Sequence, residues 1–152
     1  VRGRGARNVS RAIALVRARV DSPMETRLRL LCVLAGLPEP EPGAEIHDEH
    51  GQWIATADLR YDKERIALEY DGDLHRTSKR KWRHDVAARE ELRARGWIVL
   101  AVTADDIFVR PHRTLARIHD ALVARRHPAV PITLDPAWRD YFRVRGYLSD
   151  EW

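Results

Sequence analysis

The sequence predicts an α/β domain with a mixed central sheet flanked by helices, in the order α-β-β-β-α-β-α. Three observations lead there. Segments of strand character follow one another closely from Glu45 to Asp71, as in a meander. An amphipathic pattern over 78–95 runs straight into the apolar stretch Trp97–Val102, the composition of a buried and often parallel strand. Helical patterns bracket both ends, so helices are expected on the two faces of the sheet.

Residues 1–8 are rich in Arg and Gly and read as a linker or frayed arm, followed by a helical pattern over Ser10–Val20 with Ala12, Ile13, Val16 and Val20 on one side. Ser22-Pro23-Met24-Glu25 is a helix start: Ser22 as N-cap, Pro23 at the first helical position, Glu25 closing a capping box. That helix carries Leu28, Leu31, Cys32 and Leu34 inward and stops at Gly36. Pro38, Pro40 and Pro42 make a stiff connection to a short strand at Glu45–Asp48, with a turn at His50-Gly51. Strands are expected at Trp53–Tyr61 and Ile66–Asp71, joined by a tight turn at Asp62-Lys63. The helix Ser78–Arg95 places Trp82, Val86 and Leu92 inward and ends at Gly96; the last helix, Pro111–Arg126, aligns Leu115, Ile118 and Leu122. Residues 1–21 thus form an arm and helix, 22–126 the main domain, and 127–152 a tail. Trp138, Tyr141, Phe142 and Tyr147 predict that this tail packs on the body.

With 152 residues the chain can bury a core without metal or disulfide staples. Only three of its 27 cationic side chains are lysines (Lys63, Lys79, Lys81), the rest being arginines, and the net charge is +4. An arginine excess fits phosphate binding, since the guanidinium fork matches phosphate oxygens, and fits the codon bias of a GC-rich genome equally well. The lone Cys32 lies in the apolar run Leu30–Leu34 and reads as a core thiol in a reducing compartment. No stretch approaches the ~20 apolar residues of a membrane span and no signal-peptide pattern is present, so a cytoplasmic protein without membrane contact is expected. The first residue is Val1 rather than Met, which suggests a fragment of a longer protein.

The chemistry gathers around Ile66-Ala67-Leu68-Glu69-Tyr70-Asp71-Gly72, with Asp58 before it and His75 after it. Strand alternation sends Glu69 and Asp71 to one face and Leu68 and Tyr70 to the other. Two carboxylates side by side repel, and burying them is costly without a cation, either a metal or an Arg/Lys partner. Asp58, on the preceding strand, points toward the same region.

With Ser22–Glu25, Ala57-Asp58-Leu59, Glu69-Tyr70-Asp71-Gly72, His75, Asp85, Arg89 and Gly96-Trp97 in this order, the chain resembles the PD-(D/E)XK restriction-endonuclease-like superfamily over roughly Ser22–Val123. Within it, the branch similar to very-short-patch mismatch-nicking endonucleases matches best. The resemblance implies a restriction-endonuclease-like three-layer core and a metal-dependent DNA endonuclease, in some members a nickase, using Mg²⁺ or Mn²⁺. Such domains often follow a winged helix similar to abortive-infection antitoxins, which would be an upstream domain of the same protein. One position departs: the superfamily's lysine, two residues after the second acid, is Asp71 here. The very-short-patch branch also lacks it and uses histidine chemistry. The departure leaves the general base unassigned and keeps open an inactive DNA-binding or regulatory module as the alternative.

Each candidate has a functional and a structural reading. Asp58, Glu69 and Asp71 are metal ligands that polarise a phosphate and activate water, or else Asp58 is a salt-bridge partner and the pair a solvated strand end. His75 moves a proton or is an exposed loop residue. Glu25 completes the capping box, to which the resemblance adds a metal role. Lys79, Arg80, Lys81 and Arg83 grip a DNA backbone or form a solvated helix face. Asp85 and Arg89 are spaced to pair along the helix, His84 reads as a surface residue, and Trp53, Trp82 and Trp97 read as core.

Overall fold

The computed structural model describes residues 23–72 and 79–142 of the chain. Nine elements follow in order: α1 (Pro23–Leu34), β1 (Glu41–His47), β2 (Trp53–Tyr61), β3 (Ile66–Tyr70), α2 (Lys79–Ala94), β4 (Ile98–Val102), α3 (Ala104–Phe108), α4 (Pro111–Ala124) and α5 (Trp138–Tyr141). The expected α/β architecture with a four-stranded mixed sheet flanked by helices is present, with two short helices added. The helix expected at Ser10–Val20 and the Ser22 cap lie outside the described residues.

The sheet order is β1-β2-β3-β4. The first three strands form an antiparallel meander, and β4 returns parallel to β3 after α2. Both β2 and the end of α1 fall where the sequence predicts them, because alternation and a glycine stop are local signals. Gly36 has φ +77°, and the Leu37 N–H reaches back to the Cys32 carbonyl at 3.0 Å.

The first strand differs from expectation. It starts at Glu41 and so includes Pro42, which the sequence pattern places in the connection. As an edge strand it tolerates a proline, whose missing N–H need not face a neighbour. Arg60 of β2 secures this edge, donating from Nε to Glu41 at 2.9 Å and from Nη1 to the Glu45 carbonyl at 2.7 Å. The turn to β2 is held by Asp48, whose Oδ1 accepts from the His50 and Gln52 N–H groups, each at 2.8 Å.

Apolar side chains fill both faces of the sheet. On one, Leu28, Leu31 and Cys32 of α1 and Leu115, Ile118 and Leu122 of α4 meet Leu59, Ile66, Leu68 and Val102. Trp138 joins this cluster from the C-terminal segment, with Val130, Leu134 and Phe142 partly buried against it. Burial pushes the Cys32 thiol up to about 12, so it is an inert packing residue. On the other face, Leu92 and Ala88 of α2 pack with Ile46, Ala55, Ala57, Ala67 and Val99, and Trp97 lies against them as expected. Among the described residues, no helix is long and apolar enough to cross a membrane.

Candidate active site

The site exists because β2 and β3 part company. Their pairing runs from Tyr61↔Ile66 to Leu59↔Leu68 and goes no further, although β2 extends back to Trp53 and β3 on to Tyr70. Beyond that point β2 pairs with β1, as in Ala57↔Ala44, while β3 pairs with β4, as in Tyr70↔Val102. Between the diverging strands opens a cavity of about 300 Å³, closed on its third side by α2. Trp53, Ala55, Thr56 and Asp58 line it from β2, Glu69, Tyr70 and Asp71 from the end of β3, and Asp85, Ala88 and Arg89 from α2. Its volume is at the low end of the ~300–1,000 Å³ typical of ligand pockets.

Asp58 spans the gap. Its Oδ2 accepts from the backbone N–H of Tyr70 at 2.7 Å, so a carboxylate takes the place of the strand carbonyl that continued pairing would supply. Asp71 is fixed from the other side, its N–H donating to the Val102 carbonyl at 2.8 Å. The expectation that Asp58, Glu69 and Asp71 meet in one region therefore corresponds to a built feature: all three line the same cavity.

Glu69 and Arg89 form the central contact. Nε of Arg89 donates to Oε2 of Glu69, an ion pair whose side chains are 15% and 23% exposed for Glu and Arg. The helical pairing expected of Arg89 with Asp85 gives way to this one across to the sheet, and Asp85 contributes at longer range. Burial pushes the Glu69 carboxyl above its ordinary value despite the opposing Arg89 hydrogen bond and charge, and the fields of Asp58 and Asp85 push the same way. Desolvation works against the Arg89 guanidinium, yet the hydrogen bond to Glu69 and the fields of Glu69, Asp71 and Asp85 raise its pKa. Both directions describe one thing: among the described residues, the cavity holds four carboxylates and one cation.

Oxygen donors are the right kind for Mg²⁺, and Asp58 and Asp71 stand at the mouth of the splayed strands. Among the described residues, however, no group of three or more His, Cys, Asp or Glu side chains is gathered closely enough to hold a metal ion. Glu69, expected as a ligand, is engaged by Arg89. Asp58 and Asp71 are thus the carboxylates of the cavity wall that a Mg²⁺ ion could take as ligands, and the described residues do not form a closed protein cage.

Other expected site residues fall elsewhere. Glu25 sits in the first turn of α1, partly buried, and does not line the cavity. His75 lies outside the described residues. Lys79, Arg80, Lys81 and Arg83 begin α2, the helix whose next turns line the cavity, but their side chains, like those of Trp82 and His84, lie outside the described ones. Trp53 corrects an expectation: it is 50% exposed on the cavity wall instead of belonging to the core. Residue type alone gave no signal of that. The role of Arg89 was signalled only in general form, by the need of a two-acid strand end for a cation.

No family model matches the chain, and no solved structure does. Two curated relatives, "Uncharacterized protein Rv2248" and "Uncharacterized protein MT2308", both of Mycobacterium tuberculosis, are 31% identical to it over 100 residues, which is 66% of this chain and 36% of each relative. The chain therefore spans about a third of the length of the curated relatives it matches.

Proposed function

We propose that this domain is a metal-dependent DNA endonuclease with a restriction-endonuclease-like core, hydrolysing phosphodiester bonds, in keeping with a nickase. One observation carries the reading: Asp58 and Asp71 reach one cavity from two strands that separate at that point, beside the Glu69–Arg89 pair. Among the described residues the wall carries four carboxylates against one guanidinium, a balance that repels a polyanion. It becomes compatible with DNA once a divalent cation is held there. Asp58 and Asp71 would hold Mg²⁺ or Mn²⁺, which would supply a polarised phosphate oxygen and a water of lowered pKa. The chain's own part is positional. The Tyr70 N–H holds Asp58, the Val102 carbonyl holds Asp71, and Arg89 holds the Glu69 carboxyl across the strand end. His75 is the proton donor to the leaving oxygen in this reading. Lys79, Arg80, Lys81 and Arg83, at the start of the same helix, carry the phosphate contacts in this reading.

A second reading has an observation of its own. Arg89 already neutralises Glu69, and position 71 is Asp where the superfamily has lysine, as in a nuclease-like DNA-binding or regulatory module without cleavage. Either module would work beside an upstream winged helix in the longer protein.

Cleavage of supercoiled plasmid with Mg²⁺ or Mn²⁺, against EDTA and Asp58→Asn, separates the two. Asparagine keeps an oxygen for the Tyr70 N–H and removes the charge. Metal-dependent nicking by wild type, reduced at least ~100-fold in a variant that melts like wild type, is the expected result. Plasmid binding without any cutting selects the second reading, and nicking by Asp58→Asn at the wild-type rate refutes the assignment of Asp58.

A further inference from the structure

Arg89 meets Glu69 with only part of its guanidinium. Such a group donates from Nε and from both Nη atoms, and the pair with Glu69 uses Nε alone. Neither Nη1 nor Nη2 donates to a protein group among the described residues. Arg60 and Arg95 differ, each committing Nε and Nη1 together to protein oxygens. The Arg89 side chain stays partly exposed and lines the cavity together with Asp58 and Asp71. Its place on α2 is set by Leu92, one turn further on, which is fully buried against the sheet.

We propose that Arg89 is the phosphate-binding residue of the cavity, its Nη groups donating to a non-bridging oxygen of the phosphodiester that lies at Asp58 and Asp71. The inference rests on the endonuclease reading and adds the protein donor that meets the substrate there. Arginine suits the place because its planar fork serves two oxyanions at once, the Glu69 carboxylate on Nε and the phosphate on the Nη side. Glu69 is then a positioning residue. Its bond to Nε orders the guanidinium before DNA arrives, so less freedom is lost on binding. No proton moves in this contact, since a guanidinium stays charged in proteins. Attack on phosphorus gathers negative charge on the non-bridging oxygens, and a donor fixed beside them stabilises that charge along with the metal. The metal and the basic start of α2 draw the backbone in, and Arg89, further along the same helix, grips the phosphate at the acids.

The test is the salt dependence of DNA binding in Ca²⁺, read by anisotropy of a labelled mixed-sequence duplex with the full chain. Each phosphate contact contributes about 0.9 to the slope of log affinity against log salt concentration. Arg89→Ala should weaken binding and make that slope shallower by about 0.9, a change that a merely structural role does not produce. Because this variant leaves Glu69 without its partner, Glu69→Gln and Glu69→Gln/Arg89→Gln are measured beside it. The double variant should again be shallower than Glu69→Gln by about 0.9, with melting curves confirming that both fold. An unchanged slope in the double variant, or wild-type binding that is absent or indifferent to salt, would overturn the proposal. If wild type still nicks plasmid in that case, Arg89 serves Glu69 alone and the nuclease reading stands. A slope that falls as expected while wild type cuts nothing keeps the phosphate contact and removes the nuclease reading.

Discussion

Arg89 of α2 donates its Nε–H to Glu69 at the end of β3, and so ties the helix to the strand where β2 has turned away. The pair does two jobs at once. It closes the third side of the cavity, and among the described residues it supplies the one cation beside four lining carboxylates. Removing Arg89 leaves Glu69 mostly buried beside Asp58 and Asp85 without its partner.

Arg89→Ala should therefore destabilise the fold by roughly 1–3 kcal/mol, less than the ~3–5 kcal/mol of a fully buried pair because both side chains retain some solvent contact. A double-mutant cycle with Glu69→Gln, read by urea unfolding, should return a favourable coupling of about 1 kcal/mol or more. Additive losses would mean that the two side chains act independently and that the cavity wall is held by packing alone.

Glu69 itself makes a prediction about pH. Its carboxyl is raised above the ordinary glutamate value of 4.5, with burial as the leading cause, so the native state binds this proton more tightly than the unfolded chain. The stability contributed by the protonated form is complete below 4.5 and is lost as pH rises through the native-state pKa. Relative to wild type, Glu69→Gln should thus gain stability as pH is raised from below 4.5 to neutral, on top of a constant offset from the altered contact with Arg89. Melting temperatures of both proteins across that range measure the slope. A difference independent of pH would show that Arg89 compensates the charge fully.

Much of the fold was legible because its signals are local. The alternation over Trp53–Tyr61 and the glycine at position 36 mark their elements without reference to the rest of the chain. Pro42 misled for the opposite reason: whether a proline can sit in a strand depends on which strand lies at the edge, and that is decided by the whole sheet. The five-residue α3 is too short for a helical period to register, although its capping pair Thr103 and Asp106 is visible in sequence. The acids were legible as a group, since a strand ending in two carboxylates is unusual in itself. Their surroundings were not. The parting of β2 from β3, the choice of Glu69 over Asp85 by Arg89, and the exposure of Trp53 are all products of pairing between distant segments.

Asp58 plays two parts that substitution can separate. Its carboxylate oxygen satisfies the Tyr70 N–H at 2.7 Å, and its charge faces the cavity. Asp58→Ala should cost about 1–2 kcal/mol by leaving that part-buried donor without its acceptor, while Asp58→Asn should stay within ~0.5 kcal/mol of wild type. Urea midpoints at neutral pH compare the two. Equal losses in both variants would indicate that the charge, not the hydrogen bond, is what the fold requires of Asp58.

The cap of α3 bears on the site through a single backbone step. Thr103 follows Val102, whose carbonyl accepts from the Asp71 N–H at 2.8 Å. Its hydroxyl caps the helix by accepting from the Asp106 N–H at 3.3 Å, and Asp106 in return accepts from the Thr103 N–H at 3.0 Å. This box fixes the chain as it leaves β4, and with it the carbonyl that positions Asp71. Thr103→Ala should lower stability by about 1 kcal/mol, whereas Thr103→Ser keeps the hydroxyl and most of the stability. The alanine variant should also speed hydrogen exchange at the Asp71 amide, because the end of β4 frays once the box is opened. Faster exchange confined to residues of α3, with Asp71 as protected as before, would mean that the cap serves its helix alone and that β4 holds Asp71 without it.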